Sequence, residues 1–348
     1  MKVRHMRKVV AVGVAVASAA AVLTNVGFAS GAGKIQMAMF YYNPSPYGVA
    51  SYKAAQIEAA KLGVQLTLFD GNNNPQAQAT QMQDAITTGK YKAFWVWALD
   101  GVSLAPVIKQ AEAKHIKVAT ADYTLGTLDQ QVHLSYTPGL VTTVGGSIGK
   151  QEAAFVQLIK LACAKQVGAN GTCNVAFMPG LANYPTDTLR EQYMQAQFAT
   201  GNIHLSFTPP GLYDQPTSQG IALTYFQSKP NIQVFGSFGD QMSAGALTAM
   251  KQLGITPGKD LQVIGSGATN QIIADIHAGT VFGSVALYPC TESYMGIADL
   301  VAALQGKKVH GIVNVIDKNH PLIIDAATLK STPGFKPDWS LTGAAGGR

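Results

Sequence analysis

The chain has 348 residues, 47% hydrophobic and 13% charged, which excludes a disordered polymer and exceeds one typical domain core, so two domains are expected. Its formal charge of +6 says little about partners, because Lys2, Arg4, Arg7 and Lys8 precede an apolar run from Val9 to Leu23; without them 21 basic residues face 19 acidic ones. No Lys/Arg cluster with interleaved aromatics remains, which excludes a nucleic-acid partner.

The basic start, the apolar run and the small residues of Gly27-Phe28-Ala29 read as a secretory signal peptide over residues 1–29, cleaved near Ala29, so an exported protein is expected. The run is too short and too rich in Ala and Gly for a membrane anchor, and no Cys follows it to carry lipid. Export bears on the cysteines. Cys163 and Cys173 flank a loop between a helix end and a strand start, and an oxidising compartment favours their pairing as a disulfide, leaving Cys290 as a buried thiol.

From Lys34 onward, short β-branched or aromatic runs alternate with longer Ala-rich segments of helical period, the signature of parallel βαβ units. Ile35–Tyr41 is a strand. The loop from Tyr42 to Gly48, stiffened by Pro44 and Pro46, leads into a helix over Val49–Leu62 that stops at Gly63. Val64–Phe69 is the second strand, Asp70–Pro75 a turn, Gln76–Thr88 a helix and Ala93–Trp97 the third strand. A helix with Pro106 in its first turn precedes a fourth strand over Ile116–Ala121. Val132–Ser135 is predicted as a short connecting strand and Val141–Ala164 as a helix. Strands are then predicted over Asn174–Met178, Ile203–Phe207, Ile232–Ser237, Leu261–Gly265, Val281–Ala286 and Ile312–Ile316. Helices between them cover Thr186–Ala199, Thr217–Gln227, Gln241–Leu253, Asn270–Ala278 and Thr291–Leu304. The chain therefore reads as two similar α/β halves in tandem, each with a parallel sheet flanked by helices.

Open parallel sheets bind ligands beyond the carboxyl ends of their strands. Those ends are unusually aromatic: Tyr42, Ser45 and Tyr47 follow the first strand, Trp97 the third, and Asp122 and Tyr123 the fourth. In the second half Tyr184 and Arg190 follow one strand, Tyr213 another, and Phe238 and Asp240 a third. One tyrosine at a strand end is ordinarily core; six loops sharing the habit point to a solute-facing wall. Taken singly, Asp122 reads equally as a turn or cap residue and Arg190 as a surface helix charge. Together, aromatic faces against C–H surfaces and two charged groups that each make paired hydrogen bonds suit a small solute with a polar face and an apolar back.

Catalytic strings are weak. Gly145-Gly146-Ser147-Ile148-Gly149 matches a nucleophile elbow, but the motif needs a strand before it and a helix after it, and it falls inside the predicted Val141–Ala164 helix. Gly149-Lys150 lacks the residues of a phosphate loop and Gly265-Ser266-Gly267 the third glycine of a dinucleotide loop. Asp70–Pro75 matches a calcium loop poorly, since Pro75 stands where that loop has its glycine. The histidines show no metal-ligand spacing. The expectation is a binding protein without catalytic residues, metal or cofactor.

The sequence resembles the type I sugar-binding family of periplasmic solute-binding proteins, the ribose-binding-protein group that serves ABC transporters, over about Lys34 to Ile316. The segments carrying the resemblance are Glu58-Ala59-Ala60-Lys61-Leu62-Gly63, the turn ending in Asn73-Asn74-Pro75, and Asp240-Gln241-Met242-Ser243-Ala244-Gly245-Ala246. The resemblance implies two Rossmann-like domains joined by a three-stranded hinge that closes over a solute. One lobe would hold 34–135 plus 288–316, the other 136–287 plus 317–340, with 341–348 a flexible tail. It implies that Ser45, Tyr47, Asp122 and Arg190 contact the solute and that Tyr213 stacks on it. It also implies a monomer that hands its solute to a membrane permease, with a chemoreceptor or sensor kinase as an alternative partner.

Four positions depart from the family pattern. Tyr123 stands where an arginine is common, Gly239 where an asparagine precedes the acid, Gly267 where an aspartate is expected and Leu287 where a glutamine is. Losing that many polar contacts would cost a hydroxyl-rich pyranose several kcal/mol, at roughly one per net hydrogen bond. The two glycines are expected to enlarge the cleft. A polyol, a modified or deoxy sugar, or a small aromatic or cyclic metabolite is the expected solute.

Overall fold

The computed structural model describes residues 33–41, 45–122, 125–126, 132–135, 137–182, 184–228 and 231–340. The expected signal segment, the tail from residue 341, and Tyr42 and Tyr123 among the expected site residues lie outside the described residues.

Two six-stranded, mainly parallel sheets carry the architecture. The chain begins β1 Ile35–Tyr41, α1 Pro46–Lys61, β2 Val64–Asp70, α2 Pro75–Thr87, β3 Ala93–Val96, α3 Gly101–Ala113, β4 Lys117–Asp122 and β5 Thr142–Gly145. These are five of the first sheet's six strands, in order β5-β4-β3-β1-β2. The second sheet follows through α4 Ile148–Val167, β6 Cys173–Met178, α5 Pro185–Gln197, β7 Ile203–Phe207, α6 Gln215–Ser228, β8 Val234–Ser237, α7 Asp240–Gln252, β9 Gln262–Gly267, α8 Asn270–His277 and β10 Gly283–Ala286. The chain then recrosses: α9 Pro289–Leu304 packs on α1 and the first sheet, β11 Ile312–Asn314 pairs with β5, and β12 Ile323–Asp325 joins β10 antiparallel before α10 Ala326–Ser331. The chain thus passes between sheets three times.

Local chemistry explains most boundaries. Ser45 caps α1 by accepting from the Gly48 N–H, and Asn74 caps α2 by accepting from Gln76 and Ala77. The Asn72–Asn73 pair takes positive φ (46° and 56°) in the preceding turn, so the Asp70–Pro75 segment is a turn and helix cap. Phe40, Phe94, Met82, Leu104 and Val118 fill one face of the first sheet, while Phe155, Phe177, Phe235 and Met242 form part of the core around the second. Cys163 and Cys173 are joined by a disulfide with Cα atoms 5.7 Å apart, tying the end of α4 to the start of β6, and Cys290 is a buried free thiol.

Three local expectations are corrected. Thr142–Gly145 is a strand of the first sheet, so the expected Val141–Ala164 helix starts at Ile148, and a lobe boundary at 135 falls one strand early. Val132–Ser135 is no strand: Val132 is helical and a turn follows it, and the Val132 carbonyl accepts from Ser147 Oγ at 2.7 Å. Pro106 lies inside α3 rather than in its first turn, because Asp100 caps the helix earlier by accepting from the Val102 N–H.

Candidate functional site

Each sheet reverses strand order once, between β1 and β3 in the first and between β6 and β8 in the second. Such switch points open a crevice at the carboxyl ends of the strands, and the loops leaving these four strands supply most of one shared cavity. From the first sheet come Ser45, Tyr47, Trp97, Ala98 and Asp122. Leu181, Tyr184, Arg190, Tyr213, Phe238, Gly239, Gln241 and Ser266 come from the second, and Leu287 and Trp339 from later segments. Eight of the eleven strand-end residues singled out in the sequence therefore meet here: Ser45, Tyr47, Trp97, Asp122, Tyr184, Arg190, Tyr213 and Phe238.

Aromatic faces dominate the wall of the first sheet. Tyr47 and Trp97 lie with ring centroids 4.4 Å apart, and the Tyr47 hydroxyl donates to buried Glu292 Oε2 at 2.7 Å. Burial and the neighbouring Asp122 charge hold the Glu292 carboxyl well above its usual range. Asp122 ends β4 at φ 64°, a left-handed conformation disfavoured for a side chain with a Cβ, and Tyr213 across the cleft adopts φ 54°. Strained backbone of this kind concentrates at ligand clamps.

Charge organises the opposite wall. Arg190 donates from Nε to Glu152 Oε1 at 2.6 Å, stands 3.8 Å from Asp187 Oδ1, and lays its guanidinium over Phe238, 3.8 Å from the ring centroid. Asp187 also accepts from the Leu181 N–H at 2.7 Å and the Tyr213 hydroxyl at 2.8 Å. Burial pushes the Glu152 carboxyl up to about 7 even against the Arg190 guanidinium. Arg190 thus holds this wall together. Glu152 and Asp187 escaped sequence reading because acids on an amphipathic helix look like surface charges.

Asp240 does not line the cavity. It is 2% exposed at the start of α7, where its carboxylate accepts from the Thr269 N–H at 2.7 Å and Ser284 Oγ at 3.0 Å, stitching three strand ends together under the floor. The glycine departures do not enlarge the cleft either. A Cβ on Gly239 would stand 3.0 Å from the Tyr213 ring, and one on Gly267 (φ 136°) would stand 2.9 Å from Trp339 and 3.0 Å from Asp240. Rings have moved into the space. Trp339 was missed because nothing local marks a tryptophan in a C-terminal segment as returning to the cleft.

The Gly145–Gly149 string does have a strand before it and a helix after it, contrary to expectation. Ser147 is nevertheless the N-cap of α4, with extended backbone (φ −81°, ψ 125°), accepting from the Lys150 N–H while donating to the Val132 carbonyl. It lies outside the cavity, and its hydroxyl serves the helix. Among the described residues no group of three or more His, Cys, Asp or Glu could hold a metal ion, and no helix is long and apolar enough to cross a membrane.

Two helix-flanked parallel sheets with switch points facing one aromatic cleft define a two-lobed ligand clamp. The chain belongs to the family described as periplasmic binding protein domain, whose model matches residues 37–308. It is 24% identical to the ribose import binding protein RbsB of Escherichia coli (strain K12) over 265 residues, 76% of this chain and 83% of that protein. It is 23% identical to the galactofuranose-binding protein YtfQ of the same organism, over 70% of this chain and 74% of the relative. Among solved structures, a Mycobacterium smegmatis protein in complex with β-D-fucofuranose superposes with TM-score 0.72 at 17% identity, covering 86% of this chain and 94% of the other. A Caulobacter myo-inositol binding protein bound to myo-inositol superposes with TM-score 0.70 at 19% identity, covering 88% and 98%. At these identities the superpositions establish the fold.

Proposed function

We propose that the chain is an extracytoplasmic solute receptor of an ABC importer, capturing a small sugar-like, polyol or partly apolar cyclic solute between its two lobes and presenting it to a membrane permease. The observation that carries this reading is the cleft itself, where six aromatic rings surround Asp122 and Arg190 at the facing switch points of two sheets. A solute touching both walls favours the closed arrangement by its differential contacts, which is all that hinge closure requires. Relatives named for ribose and galactofuranose, and structural neighbours bound to myo-inositol or a furanose, support the chemical class. The basic, apolar N-terminal segment supports export to the periplasm, and the capping role of Ser147 weighs against a hydrolase.

Mass spectrometry of solute released from the purified protein, followed by thermal-shift screening of sugars and polyols, tests the reading. A bound solute raises the melting temperature by mass action. A sugar or polyol is expected in the released fraction, with a saturable shift on adding it back. A released molecule that is neither sugar-like, a polyol nor a partly apolar cyclic solute, with no shift from any member of those classes, would overturn the proposal.

A further inference from the structure

Residues beyond α10 run back across the molecule as a strap that is fastened to both lobes within two residues. Asp338, 4% exposed, accepts from the Cys290 N–H at 2.8 Å, the Thr291 N–H at 2.9 Å and the Thr291 hydroxyl at 2.8 Å, which pins the strap to the first turn of α9 beside the first sheet. The next residue, Trp339, donates from Nε1 to the Gly267 carbonyl at 2.6 Å, at the end of β9 in the second sheet. Its ring also meets Tyr47 of the first lobe edge-on, with centroids 5.7 Å apart. The Gly267 carbonyl accepts from the Leu287 N–H as well, so Leu287 and Trp339 are held side by side in the cavity lining.

The indole's single polar atom is spent on Gly267, so what Trp339 offers the cavity is hydrocarbon, continued by the Leu287 side chain. A hydroxyl buried against that corner would give up its water partners without a replacement, whereas a C–H or methyl group would gain ring contact. We infer that Trp339 is a specificity-determining residue of the cleft, selecting solutes that present a deoxygenated or C–H-rich edge to the C-terminal strap over their fully hydroxylated counterparts. This rests on the proposed capture of a sugar-like or polyol solute. Trp339 lies outside the 37–308 stretch that the family model matches.

The test is calorimetric titration of matched pairs differing in one hydroxyl, D-galactose against D-fucose and myo-inositol against a deoxyinositol, into wild type, Trp339→Ala and Trp339→Phe. Wild type is expected to bind the deoxy member at least about tenfold more tightly, within the range an apolar pocket achieves against an added hydroxyl. Trp339→Ala should bring the two members of each pair to within about threefold, and Trp339→Phe, which keeps a flat ring, should retain the preference. Should the alanine variant not fold, Trp339→Gln, which removes the ring and offers hydrogen-bonding groups to that corner, is read in its place. Equal or reversed preference in wild type, a preference that survives loss of the ring, or a phenylalanine variant behaving like alanine would overturn the inference while leaving solute capture standing. Absence of binding by every member of both pairs would overturn this inference, while the released-solute measurement alone decides solute capture.

Discussion

The two walls of the cleft are built by opposite means. Rings and one strained aspartate make the first: Tyr47 against Trp97, with Asp122 at the end of β4. A buried ionic knot makes the second, in which Arg190 is held by Glu152 and Asp187 and stacked on Phe238, while Tyr213 is tethered to the same Asp187. The difference teaches that a charged residue in a binding cleft can serve the solute, the scaffold, or both. Asp122 ends its strand with its side chain on the cavity lining. Arg190 lines the same cavity but compensates two carboxylates that would otherwise be stranded in the interior.

Removing Arg190 should have the largest effect. Arg190→Ala leaves Glu152 and Asp187 buried without their cation, a change that typically costs about 3–5 kcal/mol. Urea unfolding of the solute-free variant should show a midpoint well below wild type with an unchanged slope; an unshifted midpoint would make Arg190 a solute contact alone. Tyr47→Phe should be milder, because it deprives buried Glu292 of its phenol donor, at about 1–2 kcal/mol in the same assay. If that variant proves as damaging as Arg190→Ala, the first wall is as ionic as the second.

A smaller effect follows from pH. The folded protein retains a proton on Glu152 up to about 7, whereas the unfolded chain releases it near 4.5. The folded state therefore binds more protons between those values, so this group's contribution is fully present below 4.5 and is lost as pH rises through 7. Asp240 and Asp338, each raised to about 6 by burial, act in the same direction. Melting temperatures of wild type and Glu152→Gln, compared from pH 5 to pH 8, should converge toward a smaller pH dependence in the variant. Parallel curves would place the Glu152 proton elsewhere.

Much of this was legible in the chain because both sheets are parallel: their buried strands read as apolar runs and their helices as Ala-rich periodic segments. Residues lining a cavity at strand ends are then found by walking from each strand to its loop, as for Tyr47, Trp97, Asp122, Arg190, Tyr213 and Phe238. The misses share a physical cause. β5 is four residues of Thr-Thr-Val-Gly running into a helix after a two-residue turn, too short for its period to register. Asp240 sits at a strand end like its neighbours, yet its carboxylate turns under the floor toward Thr269 and Ser284, a direction no spacing encodes. Gly239 and Gly267 implied empty space, but space is shared among distant segments, and Tyr213 and Trp339 had filled it.

The central claim, that a solute is held between the two walls with Asp122 as its polar anchor, is tested most directly by calorimetric titration of the released solute into wild type and Asp122→Asn. Asparagine tolerates the left-handed backbone that this position adopts, so the fold is kept while the carboxylate is lost. One solute per chain is expected, with affinity falling at least about tenfold in the variant, the scale of a lost charge-assisted hydrogen bond. Equal affinity for the two proteins would contradict the account.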